Sequence, residues 1–365
     1  MTVLVVVQER TDQADLDRVI ELMSAAGSDL RVHSRQILSA AGDRDRIATA
    51  LAAQDCVLRV ASIPGQHALA SLQSRMDVPG SVDVGNCRIG PGSFTVIAGP
   101  CAVENAEQLL QIAEAVRTAG CHALRGGAFK PRSSPYAFQG RGRPALEMLA
   151  EARAMTGLPV VSEIVDVRDL DAMVEVVDLL QVGARNMQNF ALLRELGACR
   201  TPVLLKRGLS ATVDETLLAA EYLLEGGNER VVLCERGIRT FESSYRFTLD
   251  LGAIPVLRER THLPVIVDPS HAAGEARRVI PLALAAAAVG ADGIIVESHH
   301  DAAQALCDGR QALPVSELDT LMSRLQLATA AAGRVLRLGG RDEHEDVLMD
   351  DAPVALAAGL AEPVG

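Results

Sequence analysis

Four side chains of metal-binding type occur at or just after the ends of predicted strands. They are Cys101, His271, Glu297 and Asp308. A thiolate, an imidazole and two carboxylates form a donor set that several divalent first-row metals accept, so residue type alone does not separate manganese from iron, cobalt or zinc. Buried cysteines are common without any metal, which makes Cys101 the weakest of the four by residue type. If the strand ends meet, the sequence predicts a four-ligand metal site.

A second group consists of basic residues near the ends of other predicted strands. Its members are Arg125, Lys130, Arg132, Arg185, Lys206 and Arg236. The protein has a formal net charge of −12, and a cluster of cations inside a pocket needs multivalent anions to balance it. Arginine binds phosphate and carboxylate oxygens in pairs, and lysine supplies a compact charge or a proton. Phosphorylated substrates therefore fit this group.

Two acidic residues, Glu163 and Asp268, also end predicted strands. Taken alone, each polar residue of the two groups is as consistent with a solvated loop or a structural ion pair as with function. The same pattern at nearly every strand end favours a shared site.

These residues need a scaffold that brings strand ends together. From residue 94 onward, short apolar strands alternate with helical stretches, and eight strands are predicted at residues 95–98, 123–125, 159–163, 179–182, 203–206, 231–235, 265–268 and 293–297. Eight such units predict a closed (β/α)8 TIM barrel of the α/β class, in which all these ends open on one mouth. An open doubly wound sheet is the alternative, but no GxGxxG follows the first strand.

The chain before the barrel has a different pattern. Residues 1–63 predict the order βαββαβ of a ferredoxin-like domain, with the second and third strands at 30–34 and 35–39. A linker is predicted at 64–80, and a catalytic barrel with an N-terminal hairpin at 81–332. Residues 333–365 are predicted to form an accessory C-terminal tail.

Composition excludes several classes of protein. Apolar residues make up 48% and charged residues 22% of the chain, which is typical of globular proteins. The negative charge argues against binding to nucleic acid or to acidic lipid, and the apolar run at residues 3–7 is too short to span a membrane. Seven scattered cysteines without a CxxC pair indicate a reducing, cytoplasmic location.

Six stretches, in conserved order between residues 95 and 311, resemble the type I β subgroup of 3-deoxy-D-arabino-heptulosonate 7-phosphate (DAHP) synthases. They are 99–104 (GPCAVE), 125–136 (RGGAFKPRSSPY), 183–189 (GARNMQN), 205–208 (LKRG), 234–241 (CERGIRTF) and 267–271 (VDPSH). The resemblance implies a metal-dependent transferase that condenses phosphoenolpyruvate with erythrose 4-phosphate, the first step of the shikimate pathway to aromatic amino acids.

The resemblance also implies a role for each matching residue. The metal ligands would be Cys101, His271, Glu297 and Asp308, holding one divalent ion per subunit, with manganese expected ahead of cobalt, iron or zinc. The residues implied to bind substrate are Arg125, Lys130, Arg185, Lys206 and Arg236 for phosphoenolpyruvate, Arg132 and Ser133 for the phosphate of erythrose 4-phosphate, and Asp268 for substrate in general. As a separate hypothesis of mechanism, Lys130 is the candidate proton donor to the aldehyde oxygen, and either Glu163 or a metal-bound water is the candidate base for the attacking water.

Two other functions stay open. The 3-deoxy-manno-octulosonate 8-phosphate synthases share the barrel but carry Lys-Ala-Asn-Arg-Ser where residues 130–133 here read Lys-Pro-Arg-Ser. A non-catalytic paralogue is the second alternative, and the intact metal quartet argues against it.

Phe247 stands where the family has a polar amide, and His300 where it has proline. The resemblance further implies a homo-tetramer whose ferredoxin-like domain binds an aromatic amino acid effector.

Overall fold

The computed structural model describes residues 1–132 and 134–339, and its chain begins with a small antiparallel sheet. The elements are β1 (Thr2–Val7), α1 (Gln13–Ala26), β2 (Ser28–Val32), β3 (Ile37–Ala41), α2 (Arg44–Leu51) and β4 (Val57–Ile63). The strands lie in the order β2-β3-β1-β4, and each neighbouring pair is antiparallel. This is the ferredoxin-like arrangement that the sequence predicted.

Strand β1 is buried on both faces, which explains its unbroken apolar sequence. Val3 and Val5 pack into a core with α1 and α2. Leu4 and Val6, which point the other way, belong to the large core shared with the barrel. The small sheet is therefore packed between its own helices and the rest of the chain.

The ends predicted for the second and third strands are wrong by about two residues. Predicted at 30–34 and 35–39, they lie at Ser28–Val32 and Ile37–Ala41. The prediction left no residues for the turn, whereas the amide of His33 donates to the carbonyl of Ile37 at 2.9 Å across it. An antiparallel connection needs such turn residues between its strands.

A two-stranded hairpin, β5 (Val82–Val84) and β6 (Cys87–Ile89), precedes the barrel. The barrel strands are β7 (Thr95–Gly99), β8 (Ala123–Arg125), β9 (Val160–Ile164), β10 (Leu179–Val182), β11 (Val203–Lys206), β12 (Val231–Glu235), β13 (Val265–Val267) and β14 (Gly293–His299). All pair in parallel, and β14 pairs with both β13 and β7. The sheet is therefore closed, which confirms the barrel and excludes the open sheet.

Helices cover the outside of the barrel. They are α3 (Ala106–Thr118), α4 (Arg143–Thr156), α5 (Leu170–Val174), α6 (Phe190–Ala198), α7 (Val213–Glu225), α8 (Ala253–Arg260), α9 (Pro269–Ala273), α10 (Val279–Ala288) and α11 (Leu318–Ala331). A two-residue strand, β15 (Leu313–Pro314), extends β14 in parallel. Short α9 begins directly after β13 and carries one of the candidate ligands into the mouth.

Alternating side chains of the strands fill two separate cores. Ile97, Val161 and Leu204 point into the barrel and pack with hairpin residues such as Val82. Their neighbours on the strands face the helices. The hydroxyl of Thr95 at the start of β7 donates to the carbonyl of Arg88 in the hairpin at 3.0 Å. The hairpin thus covers the N-terminal end of the barrel and leaves the C-terminal mouth open for a site.

The segment between the small sheet and the hairpin lies against the barrel. The amides of Leu69 and Ala70 donate to the two carboxylate oxygens of Glu221 on α7 at 2.8 and 2.9 Å. The hydroxyl of Thr261 donates to the carbonyl of Ala70 at 2.5 Å, and His67 is buried nearby. One carboxylate therefore fixes two backbone amides that would otherwise lack partners.

We expect Glu221→Gln to gain stability relative to the wild type as the pH rises from about 4.5 to about 7. Burial raises the pKa of Glu221 from 4.5 to about 7, although the amides of Leu69 and Ala70 oppose the shift. Between these values the folded state keeps a proton that the unfolded chain releases. That stabilisation is complete below the unfolded pKa and is lost as pH passes the folded one. It amounts to at most about 3 kcal/mol.

Urea unfolding of both proteins at about pH 5 and pH 8 measures this difference. Glu195→Gln removes an exposed carboxylate from the neighbouring helix α6 and is the matched control. Identical pH dependence of wild type and Glu221→Gln would contradict the prediction.

The predicted division at residues 63, 80 and 332 stays a prediction. Of the predicted tail, residues 340–365 lie outside the described residues. Within the described part of the chain, no helix combines the length and the apolar character needed to cross a membrane.

Candidate active site

The C-terminal mouth of the barrel holds a cavity of about 290 Å³. Its walls include eight of the residues singled out from the sequence: Lys130, Arg132, Glu163, Arg185, Lys206, Arg236, His271 and Asp308. Four more lie buried at the same strand ends: Cys101, Arg125, Asp268 and Glu297. Ser133 lies outside the described residues. All the described candidates therefore occur at one end of the barrel.

The four candidate ligands meet in one cluster. Their donor atoms all lie within 4.8 Å of one another. Cys101 Sγ lies 3.1 Å from Asp308 Oδ2, and His271 Nε2 lies 3.2 Å from Glu297 Oε1. These residues come from the ends of β7, β13 and β14 and from the loop after β14, so only a closed barrel brings them together.

The ionisation of the cluster suits a cation. Burial alone would raise the pKa of Glu297 and of Asp308, but His271 and nearby basic groups outweigh it. The pKa of Asp308 falls to about 2. A hydrogen bond with Cys307 and burial together raise the pKa of Cys101 well above its ordinary value. Two carboxylates are therefore charged, and a bound divalent ion would displace the thiol proton.

The orientation of His271 also suits a metal ligand. Its Nδ1 lies 2.7 Å from Asp268 Oδ2, and the same carboxylate oxygen accepts a hydrogen bond from the ammonium of Lys206. Burial lowers the pKa of His271 in spite of the Asp268 charge, so the ring is neutral near pH 7. With the proton on Nδ1 and directed to Asp268, the lone pair of Nε2 faces Glu297 and the cluster.

One buried atom in the cluster lacks a well-aligned donor. Glu297 is fully buried, and its Oε1 accepts no hydrogen bond within the described chain, although Arg125 Nη2 lies 3.3 Å away. An unsatisfied buried carboxylate oxygen is costly. Because Glu297 Oε1 also faces the three other donors of the cluster, its lack of a hydrogen-bond partner indicates that these residues fit a divalent ion.

Basic side chains dominate the cavity above the cluster. Among the described residues, six cationic side chains line it against two carboxylates. Arg125 and Arg236 are 4% and 6% exposed, and the Nη1 atom of each is buried with no hydrogen-bond partner within the described chain. Buried guanidinium donors of this kind are satisfied by anions. Arg185 differs because it is exposed at the rim, where it donates to the carbonyl of Pro131 at 3.1 Å.

Lys130 lies between the candidate ligand cluster and the cavity. Its Nζ is 3.1 Å from Cys101 Sγ and 3.9 Å from Glu163 Oε2. Burial alone would lower the pKa of Lys130, but Cys101, Glu163 and Glu297 outweigh it and raise the pKa. The amine is therefore protonated. A Cβ at Gly127 would lie 2.9 Å from the lysine Cδ, so glycine is needed for this close approach.

Glu163, on β9, is held by its neighbours at the end of β10. Gln181 Nε2 donates to Glu163 Oε2 at 3.4 Å, and a Cβ at Gly183 would stand 2.0 Å from Oε1. The carboxylate thus occupies space that only a glycine leaves free.

An ion triad supports the strand ends that carry two of the cations. Arg207 Nη1 donates to Glu235 Oε2 at 2.9 Å and to Asp250 Oδ2 at 2.8 Å. Arg207 and Glu235 adjoin Lys206 and Arg236 in sequence and point away from the cavity. The Arg207–Glu235 ion pair therefore holds the two strand ends so that Lys206 and Arg236 face inward.

Phe247 and His300, the two residues that depart from the family pattern, both pack against identified side chains. The ring of Phe247 lies 4.4 Å from the guanidinium carbon of Arg236 and 5.7 Å from that of Arg246, so it packs against two cations of the cavity. The ring of His300 stacks on His299 with their centres 4.7 Å apart.

Arg246, Gln181 and Gln311, all of which contact candidate residues, were not selected from the sequence. For two residues that were selected from the sequence, the composition of the chain adds a further signal. Lys130 and Lys206 are the two lysines of a chain whose other basic residues are arginine. Both are buried at the mouth, at 8% and 3% exposure. A chain that uses arginine everywhere else and lysine only here needs a compact or proton-donating cation at these positions.

Comparison with known proteins gives a consistent result. The model of the DAHP synthetase I family matches residues 70–332. Phospho-2-dehydro-3-deoxyheptonate aldolase of Thermotoga maritima is 43% identical over 90% of this chain and 98% of its own length. The crystal structure of a T. maritima protein of that name, also titled DAHP synthase, superposes with a TM-score of 0.74 at 40% identity, covering 92% of this chain and 99% of the other. A 2-dehydro-3-deoxyphosphooctonate aldolase of Syntrophobacter fumaroxidans is 32% identical over 65% of this chain and 88% of its own.

Proposed function

The chain belongs to the DAHP synthetase I family, and on that premise we propose that it is a 3-deoxy-7-phosphoheptulonate synthase. It condenses phosphoenolpyruvate with D-erythrose 4-phosphate and water, and it releases DAHP and phosphate. The observation that supports this most directly is a cavity lined by six cationic side chains and by His271 and Asp308, two members of the four-residue ligand cluster. The two substrates together carry two phosphates and one carboxylate, which match that excess of cations.

One divalent ion per subunit would be held by Cys101, His271, Glu297 and Asp308. When bound, it supplies Lewis acidity for an aldehyde oxygen. Three of the four donors are nitrogen or oxygen, which suits manganese, and the thiolate also admits cobalt, iron or zinc.

Phosphoenolpyruvate takes the buried cations. Arg125 and Arg236 offer guanidinium N–H groups without partners, and Lys206 adds an ammonium beside Asp268. These groups bind the phosphate and the carboxylate, and Arg185 closes the rim. Arg132, which lines the outer part of the cavity with Ser134, binds the phosphate of erythrose 4-phosphate together with Ser133.

The reaction forms a bond between C3 of phosphoenolpyruvate and the aldehyde carbon. The aldehyde oxygen takes the electron pair of its C=O bond and receives the proton held on Lys130 Nζ. C2 becomes electron-poor, and water adds there after losing a proton to Glu163. The C2–O bond to phosphate in the resulting hemiketal phosphate then breaks, and the C2 hydroxyl passes its proton to the departing phosphate, which leaves the C2 ketone of DAHP. Arg125 and Arg236 hold the phosphate charge throughout.

A second candidate is 2-dehydro-3-deoxyphosphooctonate aldolase activity, because a protein of that name is 32% identical. That likeness spans 65% of this chain, against 90% for the heptonate aldolase. Residues 130–133 also read Lys-Pro-Arg-Ser rather than the longer Lys-Ala-Asn-Arg-Ser. Both observations favour the four-carbon aldose.

We therefore expect erythrose 4-phosphate to exceed arabinose 5-phosphate in kcat/KM by at least about a hundredfold. A pocket fitted to the shorter aldose leaves no room for one more hydroxymethylene group. Phosphate release from phosphoenolpyruvate with each aldose and added Mn²⁺ measures the ratio. Equal or reversed preference would assign the octonate reaction, and no release with either aldose would favour the non-catalytic paralogue.

Two further proposals concern partners. The ferredoxin-like domain contributes none of the cavity's lining residues, which supports a regulatory role. Feedback by tyrosine or phenylalanine and a homo-tetramer stay predictions from the resemblance, and a cytoplasmic location stays a prediction from the scattered cysteines.

A further inference from the structure

Two residues outside the ligand set tie its carboxylates together. Gln311 Nε2 donates to Glu297 Oε2 at 2.6 Å. Arg246 Nη1 donates to Gln311 Oε1 at 2.5 Å and to Asp308 Oδ1 at 3.3 Å. Gln311 is 2% exposed, and it lies in the turn that follows Asp308. We call Arg246 and Gln311 the carboxylate clamp.

The arginine settles which way the amide of Gln311 faces. A guanidinium has donors and no acceptor, so the atom of Gln311 that faces Arg246 must be the carbonyl oxygen. The amide nitrogen then faces Glu297, where it can only donate. If the amide of Gln311 were rotated by half a turn, its N–H groups would face the N–H groups of Arg246 and its oxygen would face the carboxylate of Glu297. Both contacts would be repulsive. The orientation therefore follows from the network.

The clamp occupies one oxygen of each carboxylate. Glu297 Oε2 is bonded to Gln311, while Oε1 has no hydrogen-bond partner within the described chain and lies 3.2 Å from His271 Nε2. Asp308 Oδ1 faces Arg246, while Oδ2 lies 3.1 Å from Cys101 Sγ. In both ligands, the oxygen left over is the one that faces the other donors.

We propose that Arg246 and Gln311 are positioning residues that make Glu297 and Asp308 one-oxygen ligands of the metal ion. The proposal rests on the metal-dependent function above and extends it to residues that do not touch the ion. A carboxylate with both oxygens free can bind through both and fill positions that a substrate oxygen requires. The clamp prevents that by holding one oxygen of each group.

The test uses the full chain, freed of metal, and measures Mn²⁺ affinity by competition with a chelating dye. Gln311→Met keeps the length and removes the hydrogen bonds, and Arg246→Met removes the cation. Each is expected to bind Mn²⁺ about tenfold to a hundredfold more weakly. Arg246→Lys restores a donor and should recover part of the loss. Arg310→Met is the matched control, because Arg310 is exposed in the same turn and pairs with Glu275.

The visible spectrum of the Co²⁺-loaded proteins reports how the ion is coordinated. A residue with only a structural role would leave that spectrum unchanged. Absorption bands of Co²⁺ weaken as its coordination number rises, so Gln311→Met should give weaker bands at equal loading. Unchanged Mn²⁺ affinity and an unchanged Co²⁺ spectrum in Gln311→Met would overturn the clamp, as would an equal loss in Arg310→Met. If the wild type itself bound neither ion, the metal site of the proposed function would fail together with the clamp.

Discussion

Replacing Lys130 by methionine is expected to lower kcat by about a thousandfold while metal binding persists. The ammonium lies 3.1 Å from the Cys101 sulfur, beside the candidate ligand cluster, and its raised pKa keeps it protonated. An alkoxide is a far stronger base than a lysine amine, so the proton still transfers to it. Loss of a positioned proton donor costs between about a hundredfold and ten thousandfold.

The two lysines of the chain make a sharper experiment possible. Lys130→Arg keeps the charge but replaces the ammonium by a guanidinium, whose pKa is too high for ready proton transfer. Lys206→Arg makes the same change where the charge pairs with Asp268 and is proposed to bind substrate. We expect Lys130→Arg to lose mainly kcat and Lys206→Arg to lose mainly affinity for phosphoenolpyruvate.

Steady-state phosphate release separates these effects. The assignment of Lys130 would be wrong if Lys130→Arg retained full kcat, or if both variants changed only KM. Metal content of each variant, measured in parallel, shows whether the neighbouring thiol still binds its ion.

The barrel and its mouth could be predicted because their signals are local. Each strand is a short apolar run, and the polar residue at its end marks the mouth. The strands at residues 123–125, 179–182, 203–206 and 231–235 have the predicted bounds. Arg125, Lys206 and Glu235 end these strands, so position along the strand was enough to find them.

The clamp could not be predicted for the opposite reason. Gln311 contacts Glu297 across 14 residues, and Arg246 reaches Gln311 from another loop across 65. Neither follows a strand directly, and a single glutamine in a turn has many ordinary explanations. Contacts between loops depend on how the strand ends converge, which no local pattern encodes. The turn between β2 and β3 was missed on a smaller scale, since residues 33–36 contain no glycine, proline, asparagine or aspartate to mark it.

Removal of the metal is expected to lower activity by more than a hundredfold, on the order of what the loss of a site's Lewis acid costs. Treatment with EDTA should abolish phosphate release, and Mn²⁺ should restore it. In Cys101→Ala the cluster keeps His271, Glu297 and Asp308 but loses its sulfur donor, so Mn²⁺ should no longer restore activity. Remaining activity should stay below about one hundredth of the wild-type value.

Cys307→Ser is the matched control for that variant. Cys307 is buried beside Cys101 and next to Asp308 in sequence, yet its sulfur is not among the four clustered donors. Serine is similar in size to cysteine, and its hydroxyl can replace the thiol as a hydrogen-bonding group. Mn²⁺ should therefore restore activity to within a fewfold of the wild type. Direct measurement of bound metal in the three proteins distinguishes loss of the ion from loss of fold. If Cys101→Ala regained full activity with Mn²⁺, the thiol would have no part in the site, because three remaining donors would then suffice to hold the ion.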